Sequence, residues 1–132
     1  MAFQAVVFSL SKEEYAIPIE KVQEITRLAE IHPLPQAPDY VKGLIRIRGQ
    51  AIPLIDLHAK FGIKAEGDSE YAIIIEMNGS LVGFAVEEVK EVSILENISP
   101  PPPLVNSHFI GGIVNLPDRI IVLIYPDRKS VV

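Results

Sequence analysis

The sequence predicts a mainly β protein, built as two similar small β-barrel units with short helices and an internal duplication. Three observations carry this prediction. Apolar segments of strand length recur along the chain, each ended by glycine, proline, asparagine or a charged turn. Neighbouring segments are joined by short hairpin-type turns, Arg48-Gly49, Asn78-Gly79 and Pro117-Asp118. Blocks of the first half also return, in the same order, in the second.

Phe3 to Leu10 is rich in valine and phenylalanine and reads as a strand. Ser11 to Glu14 makes a polar turn, and Tyr15, Ile17 and Ile19 alternate as a second strand that Pro18 ends or places at an edge. Glu20 to Ile25 reads as one helical turn running into a third strand, with Val22 and Ile25 as core candidates. Pro33, Pro35 and Pro38 rule out regular helix and leave an extended arm. Asp39 to Lys42 suggests a short turn of helix.

The segment from Tyr40 to Asp56 reads as strand, tight turn, strand, with Arg48-Gly49 at the turn. Glycine there supplies a positive φ. Asp56 is placed to cap a short helix over Leu57 to Phe61, and Gly62 to stop it. Ala65 to Glu70 is a polar link. Tyr71 to Met77 and Leu81 to Val86 flank Asn78-Gly79, a strong hairpin signal. Glu87 to Leu95 contains a further strand, Pro100 to Pro103 an extended stretch, and Phe109 to Leu116 with Arg119 to Ile124 a last hairpin. Gly111-Gly112 within that hairpin marks a bulge or a close backbone approach.

The repeat is explicit. Ile19 to Leu28 aligns with Val86 to Leu95, with identities at Glu20, Val22, Glu24 and Leu28. Tyr40 to Ile45 aligns with Phe109 to Val114, and Ile52 to Ile55 with Ile121 to Ile124. Two units follow, one over approximately residues 12–69 and the other over approximately 70–125, with the N-terminal strand 3–10 able to pack across. Units this small need closure or a partner surface to protect their edges, and side-by-side packing leaves a groove between them. The halves differ at one hairpin, where Arg46-Ile47-Arg48-Gly49 faces Asn115-Leu116-Pro117-Asp118. That difference strengthens the case for a recognition role for Arg48, since guanidinium suits planar contacts with carboxylates, beside the plainer readings of a solvated turn residue and of divergence after duplication.

Composition narrows the function. A net charge of -5 opposes phosphate-driven nucleic-acid binding. With no cysteine, disulfides and thiol chemistry are excluded. The N-terminal residues lack signal-peptide character, and no apolar run is long enough to span a bilayer as a helix, so a cytoplasmic protein without membrane insertion is expected. His32, His58 and His108 are not spaced as metal ligands and are expected to be solvated, as are the acidic pairs Glu13-Glu14 and Glu87-Glu88. No serine sits in an activated setting, and no glycine loop cradles phosphate. A binding module is the expectation, with no cofactor, no metal and no catalysis.

Taken together, the residues resemble the CheW-like domain, the adaptor of chemosensory arrays. The resemblance rests on Tyr15-Ala16-Ile17-Pro18-Ile19, Val22-Gln23-Glu24-Ile25, Pro33-Leu34-Pro35, Gly43 to Gly49 leading into Ile52 to Leu57, Phe61-Gly62, and Val82-Gly83 to Val89. It implies two five-stranded SH3-like barrels and a non-enzymatic scaffold that joins the cytoplasmic tip of chemoreceptors to the regulatory domain of the histidine kinase CheA, within receptor arrays at the inner membrane face. Carried over by position, Val22, Glu24, Gly43, Arg48 and Gly49 become partner-binding residues facing the receptor. Core packing for Val22 and a backbone requirement for Gly43 remain the alternatives. The chain departs from the family at Arg46, where asparagine is usual, in Pro100 to Pro103, and in an ending without the usual Leu-Asp and terminal helix. A competing reading is a β-barrel module that binds another protein or a small ligand outside chemotaxis.

Overall fold

The computed structural model describes residues 2–103 and 109–126. Its elements in chain order are β1 (Phe3–Leu10), β2 (Glu13–Pro18), a 3-10 turn (Ile19–Lys21), β3 (Val22–Arg27), β4 (Val41–Ile47), β5 (Gln50–Asp56), α1 (Leu57–Phe61), β6 (Tyr71–Met77), β7 (Ser80–Val86), β8 (Glu88–Leu95), β9 (Ile110–Asn115) and β10 (Ile120–Ile124). They form two five-stranded sheets, β8-β1-β2-β10-β9 and β3-β6-β7-β5-β4, neither closed by pairing of its end strands. Asp39 and Tyr40 form a turn, and Val41 and Lys42 already belong to β4, so no helix forms there.

The expected partition at residues 69 and 70 describes the sequence repeat but not the sheets. β6 and β7 join the sheet of β3, β4 and β5, whereas β1 and β2 join that of β8, β9 and β10. Each repeat therefore gives its first hairpin to the other repeat's sheet. The exchange is sealed by two parallel pairings, β2 with β10 and β5 with β7. β1 and β2 both lie in the sheet that also holds β8, β9 and β10.

Irregularities repeat as faithfully as strands. β3 bulges at Gln23 against β6, and β8 bulges at the aligned Lys90 against β1. β4 bulges at Lys42 against β5, and β9 at the aligned Gly111 against β10. The bridge between His32 and Leu44 has its counterpart between Ser99 and Ile113. Gly43, at φ +148, and Gly112 are the residues these bridges crowd. A Cβ on Gly43 would overlap the His32 carbonyl oxygen, and one on Gly112 would lie 2.7 Å from that of Ser99. Only a hydrogen at this position lets the arm reach its strand.

Alternation within strands sorts the core into layers. Val6, Phe8 and Leu10 of β1 meet Ile73 and Ile75 of β6 in one cluster shared by both sheets. The opposite faces, Ala5 and Val7 on one sheet and Ala72 and Ile74 on the other, fill two separate clusters. Burial on both faces explains uninterrupted apolar runs such as Ala72 to Ile75. Ile25, expected in the core, is 40% exposed, whereas Val22 packs against the shared cluster. Along β3, Gln23, Ile25 and Arg27 take the outer face.

Candidate functional site

The β4–β5 turn is built from Arg48 at φ 51 and Gly49 at φ 82. Positive φ at both central residues is the hairpin geometry whose twist matches the flanking strands. Glycine takes it freely, whereas arginine bears a conformational cost. No atom would lie within 4 Å of a Cβ on Gly49, so the glycine serves backbone conformation and not packing.

The Arg48 side chain is 81% exposed, and its Nε lies 3.2 Å from Oε1 of Glu24. β3, which carries Glu24, and β4, which leads into the turn, stand at opposite ends of the sheet order. The ion pair thus joins the two end elements that no strand pairing connects. Val22 lies two residues before Glu24, half-buried on the same strand. Gly43 lies within β4, where it admits the arm carrying His32. The ion pair therefore brings Glu24 and Arg48 together from the two ends of the sheet order, with Val22 and Gly49 near them along the chain, while Gly43 lies within β4. Ile25 and Leu34 add apolar exposure on the same half of the chain.

The second sheet holds a counterpart that the aligned turns concealed. Glu91 of β8 occupies the repeat position of Glu24, and Oε2 of Glu91 lies 3.2 Å from Nη2 of Arg119 in the β9–β10 connection. Arg119 stands two residues beyond the position aligned with Arg48, where Pro117 is found. Its Nη1 also bonds Glu14 Oε1 at 3.0 Å. The expected difference between the halves is thus one of setting. Arg119 is held by two carboxylates at 30% side-chain exposure, whereas Arg48 reaches one and stays in solvent. A hydrogen bond from Ser93 and then the Arg119 contacts hold the Glu91 carboxyl below the usual carboxylate range.

Two expectations about polar residues are corrected. His58 is 4% exposed, with Nε2 2.6 Å from Glu87 Oε2 and Nδ1 3.3 Å from Asp56 Oδ1. Glu87 and Glu14 are likewise largely withdrawn from solvent and paired, the first with His58 and the second with Arg119. Carboxylates in such positions need donors, and the fold supplies them across 29 and 105 residues of chain. His32 remains exposed, and His108 lies outside the described residues. Among the described residues no cluster of three or more His, Cys, Asp or Glu is arranged to hold a metal ion, and no helix is long and apolar enough to cross a membrane.

A profile of the CheW-like domain matches residues 4–129. The chain belongs to the CheW-like family. It is 33% identical over 128 residues to the chemotaxis protein CheW of Helicobacter pylori, covering 92% of this chain and 77% of that protein. A second relative, CheW of Klebsiella aerogenes, is 33% identical and covers 89% of this chain and 75% of its own length. Among solved structures, the scaffolding protein TtCheW from Thermoanaerobacter tengcongensis superposes with a TM-score of 0.89 at 36% identity, covering 96% of this chain and 91% of that one. The exchanged hairpins and paired sheets described above are accordingly a CheW-like fold. Membership makes the protein a chemotaxis adaptor, of a family of scaffolds rather than enzymes.

Proposed function

We propose that the protein couples the cytoplasmic tips of chemoreceptors to the histidine kinase CheA, in arrays at the inner membrane face, and that it works without catalysis. The Arg48–Glu24 pair carries this reading. A cation on a rigid hairpin turn, mostly in solvent and oriented by one carboxylate, is pre-organised to meet a second carboxylate on a partner. Ile25 beside Glu24 supplies apolar surface for the same partner. Glu24, Arg48 and Gly49 form the contact, Val22 supports β3 from below, and Gly43 keeps β4 and its arm in register.

The test is co-sedimentation with receptor cytoplasmic fragments, with and without the kinase. The protein is expected to pellet with receptor and to recruit kinase into the pellet. Failure to pellet with either partner would move the function to a different partner on the same double-sheet scaffold.

A further inference from the structure

The two sheets meet through an apolar cluster, and apolar contact by itself is non-directional. One side of the junction also carries a directional device, centred on α1. His58 of α1 contacts Oε2 of Glu87, the single residue between β7 of one sheet and β8 of the other. The same oxygen accepts the backbone N–H of Ser11, from the β1–β2 turn of the opposite sheet, at 2.9 Å. Ser11 Oγ in turn donates to the Lys64 carbonyl, just past α1, at 2.6 Å. Asp56 holds the other ring nitrogen of His58 and accepts the His58 backbone N–H at 3.0 Å, so the imidazole is fixed at both ends.

The next turn of α1 continues the bridge. Phe61 stacks on Tyr15 of β2 at a centroid distance of 6.2 Å and meets Phe109 edge-on at 6.4 Å. Lys60 lies over the rings of Tyr40 and Phe109, at 4.2 and 4.9 Å. Tyr40 leads into one sheet and Phe109 into the other. Among the described residues the other side shows no such device: Glu20, the repeat counterpart of Glu87, is exposed.

We infer that His58 is a positioning residue: by donating to Glu87 from α1 it locks the two sheets at a fixed relative placement. The consequence for partner binding rests on the adaptor reading, but the lock itself does not. Glu87 is largely buried and shares one oxygen between donors from both sides. Loss of the His58 donor leaves the carboxylate with the Ser11 N–H alone and frees α1 from the crossover. The cluster of apolar side chains still holds the sheets together, but without a bond that selects one arrangement.

The absence of cysteine permits a direct test. Cysteines introduced at two exposed positions, Ser80→Cys at the start of β7 in one sheet and Asp118→Cys in the β9–β10 connection of the other, accept spin labels whose separation is read by pulsed electron resonance. The parent pair is expected to give one narrow distance peak. His58→Leu, which keeps volume and removes the donor, is expected to lose it. His58→Arg, which restores a donor to Glu87, is expected to recover it. An unchanged peak in His58→Leu would overturn the inference, and so would equal broadening in the leucine and arginine variants. Should His58→Leu fail to fold, Glu87→Met carries the same test, since it keeps the chain length and removes the acceptor of both His58 and Ser11: retention of a narrow peak there would equally overturn it. Co-sedimentation with receptor fragments is run alongside. A broadened distance with lost binding supports both readings, whereas a broadened distance with binding intact keeps the lock and removes its link to the adaptor role.

Discussion

Reversing the charge at Arg48 separates recognition from folding, because its structural cost can be bounded. The side chain is 81% exposed and its partner Glu24 31% exposed, so the pair contributes about 0.2–1 kcal/mol to stability. Arg48→Glu removes that and brings two carboxylates near each other. At a separation of about 4 Å in a water-like dielectric their repulsion is about 1 kcal/mol, and an exposed side chain relieves part of it by swinging away. The turn's backbone cost is unchanged, since both residues bear a Cβ at φ 51. The total, about 1–2 kcal/mol, is small beside the 5–15 kcal/mol typical of a folded domain, and corresponds to roughly 3–10 °C in the melting midpoint. Calorimetry is expected to show a cooperative melt within that range, while co-sedimentation with receptor fragments well below the midpoint is lost. The double variant Glu24→Arg with Arg48→Glu restores the pair and is expected to recover the midpoint without recovering binding. A midpoint lowered by more than about 20 °C would refute the reasoning, because it would make Arg48 a folding residue. Full binding by Arg48→Glu would refute it from the other side.

Three further outcomes follow from the geometry. Gly43→Ala is expected to cost more than about 3 kcal/mol in urea unfolding, since its methyl group would meet the His32 carbonyl, whereas Gly49→Ala adds only the strain of its positive φ, about 1 kcal/mol; equal costs would contradict the crowding at Gly43. Glu91, with its carboxyl held down by Ser93 and Arg119, contributes stability that is present above the ordinary glutamate range and lost as pH falls through the depressed folded-state value; carboxyl NMR is expected to show its titration moving upward in Arg119→Met, and no movement would dissolve the assignment. Burial, with a smaller effect from Glu13, pushes the Tyr15 hydroxyl up, so its contribution is full below the ordinary phenol value and lost as pH rises through the raised one; ultraviolet titration is expected to show a late-ionising tyrosine that Tyr15→Phe removes.

What the sequence disclosed was local. Asn78-Gly79 forms its hairpin with φ 53 and 82, and Asp56 caps α1 through the His58 N–H while Gly62 ends it at φ 69. Such features depend on a few neighbouring residues, and each residue type states its conformational preference. The repeat was also legible, since matched bulges and bridges require matched glycines and strand lengths. The exchange of hairpins was not, because the parallel pairs that seal it join strands far apart in the chain. Ile25 turned outward although its apolar character placed it inside, as burial depends on which face of β3 the neighbouring strand and sheet cover. His58 carries no local mark of burial, because what dictates it is Glu87 across the fold. Arg119 escaped notice because it restores the pairing from a position two residues out of register with Arg48.

That last displacement bears on why the proposed recognition is assigned to one half. Both repeats set a glutamate at the same place on an end strand, and both bring an arginine to it. In the sheet of Arg119, Glu14 on β2 gives the guanidinium a second anchor, and the side chain is drawn down onto that sheet. In the sheet of Arg48 the residue aligned with Glu14 is Leu81 of β7, which has no charge to offer, so Arg48 keeps one partner and most of its donors face water. A guanidinium satisfied twice within its own fold has little to gain from a partner's carboxylate, whereas one satisfied once retains free donors in a fixed direction. The duplication therefore supplied one device twice, and the exchange of a carboxylate for a leucine on the neighbouring strand separates its two uses. Leu81→Glu tests this: it offers a carboxylate at the aligned position but gives up the packing of Leu81 against its apolar cluster, so thermal stability is expected to fall, and receptor co-sedimentation is expected to weaken if Arg48 takes the new anchor. Undiminished binding with Arg48 shown by NMR to contact the new carboxylate would sink the distinction.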